Sequence, residues 1–348
     1  MRANGPVDRL LAARVLREEA EREGFTRFGI ARADDAPGFD RFERWIGAGF
    51  HAGMRYLEDT LPLRRSPREL LSGARSVVCL AAAYSAAPYV GPDGSRYARY
   101  ARGADYHGSL RERVGRVVLR SRERLPGDWA SRICVDSTPL AERAFAAAAG
   151  LGWIGKNGCL IDAEQGSYLL LAEIVTDLDL PPDDPAAEQC GSCVRCLEAC
   201  PTQALRAPGV VDAARCIAYW TIEHAGPIPD EKKAAVGDHV FGCDICQEVC
   251  PWNAPLSSRA AATAAPDAEA PARADVLAMG KGAWRRRFGK TAVNRAARRG
   301  LQRNAALSAG ACGDRACLPA LAPAARLQEA GLSDAARWAL GRLARQPL

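Results

Sequence analysis

The sequence predicts a mixed fold, α/β or α+β, followed by a cysteine-rich segment and closed by an all-helical tail. Three observations carry that expectation. Two continuous apolar runs, "ARSVVCLAAAY" (74–84) and "SYLLLAEIVTDL" (167–178), read as buried strands among helical segments. Eight of the 13 cysteines crowd between Cys190 and Cys250. The last stretches, "NRAARRGLQRNAALSAGACGD" and "LSDAARWALGRLARQ", are rich in Ala and Leu and read as short helices.

Near the start, Val7, Leu10, Leu11 and Val15 fall at helical spacing, which predicts an amphipathic surface helix. "LAERAFAAAAGLG" (140–152) predicts a helix closed by Gly150 or Gly152. The Pro- and Asp-rich "DLPPDDPAAEQ" (179–189) separates a first domain, 1–178, from a cysteine-rich one, 179–256. "APLSSRAAATAAPDAEAPARAD" (254–275) reads as a linker or extended wrap, so that 257–348 holds linker and helical tail. "RNAALSAG" recurs loosely as "ARWALGRL", a faint repeat of the kind that stacked helix pairs give; an ordinary helical cap is the alternative.

With 348 residues, 48% hydrophobic and 25% charged, the chain has an ordinary globular composition. No apolar leader and no run long enough to span a bilayer stands out, so a cytoplasmic protein is expected. Thiols stay reduced there, and 13 cysteines then argue for metal rather than disulfides. The net charge of +6 hints at an anionic partner.

"CGSCVRCLEACP" is the full C-x2-C-x2-C-x3-C-P run of a two-cluster ferredoxin, in which the fourth cysteine ligates the other cluster. "FGCDICQEVCPWN" supplies three more thiols. Cys190, Cys193, Cys196 and Cys250 are therefore expected on one [4Fe-4S] cluster. Cys200, Cys243 and Cys246 hold the second. Its fourth ligand is expected to be Cys216, the one remaining cysteine between the two motifs. A pair of zinc sites is the alternative. Of the other five, Cys79, Cys134, Cys159, Cys312 and Cys317, most are expected to be small buried hydrophobes.

The most specific stretch before the cysteines is "CVDSTPLAERAFAAAAGLGWIGKNGCLI" (134–161). Asp136 opens a turn, and the loop "GLGWIGKNG" could let backbone approach a large flat or phosphorylated ligand. Asp136 could equally be a helix N-cap, and the glycine spacing fits a dinucleotide site poorly. Residues 279–303 hold nine Lys/Arg and no acid, with Trp284 interleaved, and residues 96–124 hold nine Arg against three acids. Both runs fit phosphate contacts on RNA; a solvated helix face is the alternative.

"VDSTPLAERAFAAAAGLGWIGKN", "YARYARGADYH" (97–107), "YWTIEHAGPIP" (219–229), "FGCDICQEVCPWN" and "EGFTRFGIARAD" (23–34) together resemble the epoxyqueuosine reductase family over nearly the whole chain. The resemblance implies a cobalamin-dependent enzyme with two [4Fe-4S] clusters. Such an enzyme removes the epoxide oxygen of epoxyqueuosine at the tRNA wobble position, the last step to queuosine. It also implies a nitroreductase-like cobalamin domain and a HEAT-like tail. Asp136 matches the family's proton donor, and burial against a corrin is expected to raise its pKa. Arg99, Asp136, Ser137, Lys156, Asn157, Leu160 and Ser167 fall in motifs lining the corrinoid, with Gly242 and Asp244 facing it from the cluster side. His51, His107, His224 and His239 are scattered, so a base-off corrinoid without protein imidazole is implied. The candidate tRNA contacts are Arg285, Arg286, Arg287, Lys290, Arg295, Arg298 and Arg299.

An external donor of flavodoxin or ferredoxin type, no membrane and a monomeric state complete the expectation. A reductive dehalogenase and a non-catalytic electron carrier are the competing functions.

Overall fold

The computed structural model describes residues 7–256 and 269–345. Most of the expected 254–275 linker lies outside the described residues. Four strands make the main sheet: β1 (Arg27–Arg32), β2 (Ser76–Ala83), β3 (Ser131–Cys134) and β4 (Leu169–Thr176). Their order is β1-β2-β4-β3 and every pairing is antiparallel, so the domain is α+β rather than a parallel α/β sheet.

Both expected strands form, and both faces of the sheet are covered. Ile30, Val78, Leu80, Ala172 and Ile174 face one layer, helices α1 (Arg9–Arg22) and α2 (Tyr106–Arg124). Ala31, Val77, Cys79, Ala81, Cys134 and Val175 face the other, which holds α3 (Glu142–Ala148). Burial on both faces is why these strands read as unbroken apolar runs. Helix α3 ends as the glycines require: Gly150 takes φ 79° just past it.

Helix α1 corrects the expected apolar face. Asp8 caps it through Leu10 N and Leu11 N, Ala12, Val15, Leu16 and Ala20 are buried, and Leu10 is 73% exposed. The arginine run at 96–124 is corrected too. On α2, Arg116 and Arg120 pair with Glu23, and Arg124 pairs with Glu18 and Glu19. These acids sit on α1 or at its C-cap, and Arg96 and Arg99 pair with Glu248 of the cluster segment, so five of the nine arginines are compensated by acids far away in sequence.

The tail comprises α4 (Arg273–Ala278), α5 (Lys281–Phe288), α6 (Ala297–Cys312), α7 (Leu318–Ala324) and α8 (Ala330–Arg345). Its core is continuous with Val240 and Phe241 of the cysteine-rich segment and Tyr97 of the first domain. Trp284 belongs to that core, 5.1 Å from the Phe288 ring, and is no base-stacking platform. Arg303 is buried as well, donating to Trp220 O (2.6 Å), His224 O (2.8 Å) and Gly226 O (2.7 Å). Cys312 is exposed, unlike Cys79, Cys134 and Cys317.

Candidate active site and cluster ligands

The two cysteine motifs fold against each other. Cys250 is buried against Trp153 and Ile161 of the first domain, with Cys190 and Trp252 beside it. Trp153 Nε1 lies 3.5 Å from Cys190 Sγ. Burial raises the Cys196 thiol, and the negative charges of Cys190 and Cys250 add to it; for Cys250 the added charges are Cys190 and Cys193. Burial pushes Cys243 up to about 12, with Cys216 and Cys200 adding to it. Burial also raises Cys216, with Cys200 nearby, and Cys246, with Cys159, Cys243 and Cys216 nearby. Leaving aside Cys159, which neighbours Cys246 as well as Cys196 and Cys250, these neighbourhoods are compatible with the expected sets Cys190/Cys193/Cys196/Cys250 and Cys200/Cys216/Cys243/Cys246. In Cys200 burial is outweighed by hydrogen bonds from Thr202 and Ala204 N, which hold its thiol low. Thiols crowded together, with backbone N–H groups aimed at several of them, suit a cationic iron cluster that binds the thiolates. Among the described residues no three such side chains close on one point that would hold a single metal ion.

Asp136 follows β3 in a left-handed conformation, φ 47°, which a non-glycine residue adopts only when its surroundings impose it. Helix α3 begins later, with Ala141 as its N-cap, so Asp136 is not the cap of that helix. Its carboxylate instead accepts from Tyr106 Oη at 2.9 Å and meets His107 Nε2 at 2.6 Å. His107 Nδ1 is 2.6 Å from Asp105 Oδ1, and the Tyr106 and His107 rings stack at 4.2 Å. The Asp136 backbone N–H is taken by the Glu142 carboxyl.

The electrostatics of the carboxyl follow from these contacts. Hydrogen bonds from His107 and Tyr106 outweigh burial and hold the Asp136 carboxyl below the usual range. The hydrogen bond to Asp136 in turn raises His107, against a smaller opposing effect of burial. The Asp136 side chain is 53% exposed. Tyr56, Arg64, Tyr100, Glu223 and Arg295 surround it; Arg295 pairs with Glu223 at 2.7 Å. Reasoning from sequence missed His107, Tyr106 and Glu142. "GADYH" and "LAERAF" contain them, but only the fold sets them against Asp136.

The other residues named for the corrinoid lie mainly along the seam between the first domain and the cluster segment. Arg99 is 6% exposed; it donates to Ala86 O (2.9 Å) and Asp244 Oδ2 (3.2 Å) and pairs with Glu248. Lys156 Nζ donates to Gly191 O (2.6 Å) and Cys193 O (3.0 Å). Asn157 Nδ2 reaches Cys246 O at 3.4 Å. Ser167 Oγ donates to Gln247 Oε1 (3.0 Å) and accepts from Asn253 Nδ2 (2.8 Å). Leu160 pairs with Ile154 in a short hairpin. Gly242 takes φ 68° and donates its N–H to Thr221 Oγ1 at 3.0 Å, and a side chain there would strike Ala98. Ser137 sits beside Asp136 and accepts from Arg111 at 2.6 Å.

In the tail, Arg285, Arg286, Arg287 and Lys290 are exposed and line an open cleft of about 810 Å³ with Tyr89 and Phe288. Arg298 and Arg299 each donate to Gln302 Oε1 at 3.0 Å, which turns them partly inward.

Comparison with known proteins gives this geometry a family. A profile described as a 4Fe-4S double cluster binding domain matches residues 189–253, and one described as epoxyqueuosine reductase QueG, DUF1730, matches residues 64–137. The epoxyqueuosine reductase of Gloeobacter violaceus is 41% identical over 87% of this chain and 97% of its own. That of Cellulophaga algicola is 36% identical over 83% of this chain and 95% of its own. A crystal structure of epoxyqueuosine reductase with an epoxyqueuosine-modified tRNA-Tyr stem loop superimposes with TM-score 0.85 at 31% identity, covering 97% of this chain and 91% of that one. A Bacillus subtilis epoxyqueuosine reductase, its catalytic aspartate loop swung out of the active site, also gives TM-score 0.85, at 30% identity and the same coverage. This chain belongs to the epoxyqueuosine reductase family.

Proposed function

We propose that this chain reduces the epoxide of epoxyqueuosine at the tRNA wobble position to the alkene of queuosine. The observation that carries the reading is the left-handed Asp136 turn, its carboxylate half-exposed and bound to His107, within a chain that matches epoxyqueuosine reductases nearly end to end. Reducing an epoxide to an alkene takes two electrons and two protons and releases the oxygen as water. Side chains cannot supply low-potential electrons, so cofactors must.

Two [4Fe-4S] clusters fit the donor set of eight thiols: Cys190, Cys193, Cys196 and Cys250 on one, Cys200, Cys216, Cys243 and Cys246 on the other. Cobalamin would sit beside the exposed Asp136 carboxylate. Tyr56, Tyr100 and Tyr106 lie around that carboxylate, and both His107 nitrogens are already engaged by carboxylates, so a base-off form would take no imidazole from His107. When bound, it would supply a strongly reducing, nucleophilic cobalt centre. Arg99, Lys156, Asn157, Ser167, Gly242 and Asp244 would shape and stiffen the wall between this group and the clusters, since their polar atoms are engaged with neighbouring groups along the seam. Leu160 and Ser137 would complete it.

The chain's own part in the reaction is to move protons. The hydrogen bond to Asp136 raises the His107 imidazole and helps it hold a proton there, which Asp136 passes to the departing oxygen, while the second proton comes from solvent. Asp136 so acts as the general acid with His107 as its source, rather than through its own raised pKa.

We further assign residues 1–178 to a nitroreductase-like cobalamin domain, 179–256 to the cluster domain and 257–348 to linker and a HEAT-like tail that meets tRNA. A flavodoxin- or ferredoxin-type donor, a monomer and a cytoplasmic location complete the proposal. No described helix is long and apolar enough to cross a membrane. The test is single-turnover reduction of an epoxyqueuosine-modified stem loop by chemically reduced, anaerobically purified protein, with iron and cobalt assayed on the same sample. Eight irons, cobalt and queuosine product are expected. Full iron without cobalt or product would favour an electron carrier.

A further inference from the structure

One buried acid has no place in the chemistry described so far. Glu173 lies on β4, opposite Cys79 on β2 and Cys134 on β3, at the centre of the sheet. It has no exposed surface, and neither of its carboxyl oxygens has a hydrogen-bond donor. An ionised carboxylate in that position would be very costly. Strand alternation turns Glu173 towards α3, and there it meets the carboxyl of Glu142. Two carboxylates offer each other no donor. One proton between them converts the contact into a hydrogen bond and removes one of the two buried charges. Burial, with Asp136 close by, pushes Glu142 up to about 7 and keeps Glu173 well above the carboxylate range. Arg143 and Arg64 also face Glu142 but are engaged elsewhere, with Gly158 O and Thr60 Oγ1 respectively. The thiols of Cys79 and Cys134 flank Glu173, and burial raises both.

Glu142 is also the group that accepts the Asp136 N–H, holding that residue in its left-handed turn. We propose that Glu142 and Glu173 share one proton, and that this buried pair is a latch: singly protonated it holds the Asp136 loop inward, and doubly ionised it releases it. The reason is repulsion. Losing the shared proton leaves two carboxylates in contact inside the fold with Asp136 a third negative charge beside them. Water must then enter, and the loop over Glu142 gives way, as the corresponding catalytic loop does in the Bacillus subtilis relative where it is swung out of the active site. Glu142 and Glu173 are positioning residues here, since they act through the Asp136 backbone.

The test is amide hydrogen exchange of residues 135–138 in the full-length protein from about pH 6 to about pH 9, expressed as protection against an unstructured peptide. Opening coupled to loss of one proton lowers protection by up to about tenfold per pH unit as pH rises towards the closed-state titration, and protection levels off above it. Wild type should show that fall. Glu173→Gln should not, because its amide donates to an ionised Glu142 that still accepts the Asp136 N–H. Glu142→Gln, which keeps an acceptor for that N–H and a donor to Glu173, should be equally flat, and either variant decides the matter if the other does not fold. Infrared spectra should show a carboxylic acid C=O band in wild type that is lost over the same pH range and missing from Glu173→Gln. Variants that follow the wild-type pH dependence, or a wild type with no such band, would overturn the latch. The exchange and infrared results do not depend on Asp136 being the acid, so failure of that assignment is read separately.

Discussion

His107 Nε2 and Asp136 Oδ2 lie 2.6 Å apart, while Asp105 holds the other ring nitrogen at the same distance. A histidine gripped by two carboxylates keeps its proton above the ordinary pKa of about 6.5. The sign follows: the raised folded pKa means the imidazolium is fully present below the unfolded value and lost as pH rises through the folded one. Single-turnover reduction should therefore fall with rising pH. His107→Gln keeps a hydrogen bond to Asp136 without the proton. It should slow reduction by about 10–100-fold near pH 7 and flatten that alkaline fall. An unchanged pH profile in the variant would remove His107 from the proton path.

Asp136→Asn should fold, bind both clusters and retain cobalt, yet reduce the modified tRNA about 10²–10⁴-fold more slowly. The asparagine side chain can still meet Tyr106 and His107 but cannot pass on a proton. The measurement is single turnover with chemically reduced protein, which bypasses the physiological donor. Near wild-type turnover in a fully metallated variant would leave Asp136 a structural turn residue.

Cys216→Ala should halve the iron content and remove one cluster's spectroscopic signal while sparing the other. Cys216 shares its electrostatic surroundings with Cys200, Cys243 and Cys246 and not with the first set. Full iron with an unchanged spectrum would show that another group is the fourth ligand.

Much of this was legible because it is local. The cluster motifs are fixed by short spacings, and the strands at 76–83 and 169–176 by continuous apolar runs. What escaped was set by tertiary contact. His107 and Asp136 are 29 residues apart, on α2 and beyond β3, and no periodicity joins them. Glu173 interrupts "LLLAEIVT" as a lone acid whose partner, Glu142, is on a helix across the sheet face. The arginines of α2 looked uncompensated because their acids are on α1 or at its C-cap, with Arg116 and Glu23 separated by 93 residues. Tyr106 and His107, the donors to Asp136, escaped for a similar reason.

The basic tail splits into two kinds of arginine, and that split is itself a prediction. Arg285, Arg286, Arg287 and Lys290 are exposed around one cleft, where each can neutralise a phosphate and release its counterion. Replacing all four with Gln should weaken tRNA binding. It should also flatten the slope of log affinity against log salt by up to about 0.9 per lost duplex contact, leaving cobalt and iron content unchanged. Arg295 is the intermediate case, since its pairing with Glu223 already neutralises part of its charge. Arg303, from the same basic run, should behave differently. Its guanidinium satisfies three carbonyls of the 220–226 loop in the core shared by tail and cluster segment. Arg303→Met would strand those acceptors, at about 1–3 kcal/mol for each one left without water, and should lower the melting temperature without a comparable change in salt slope. Titrating a labelled stem loop at several salt concentrations, alongside thermal melts, separates the two outcomes. Equal salt slopes for wild type and the fourfold variant would make the cleft a solvated face and place the tRNA elsewhere.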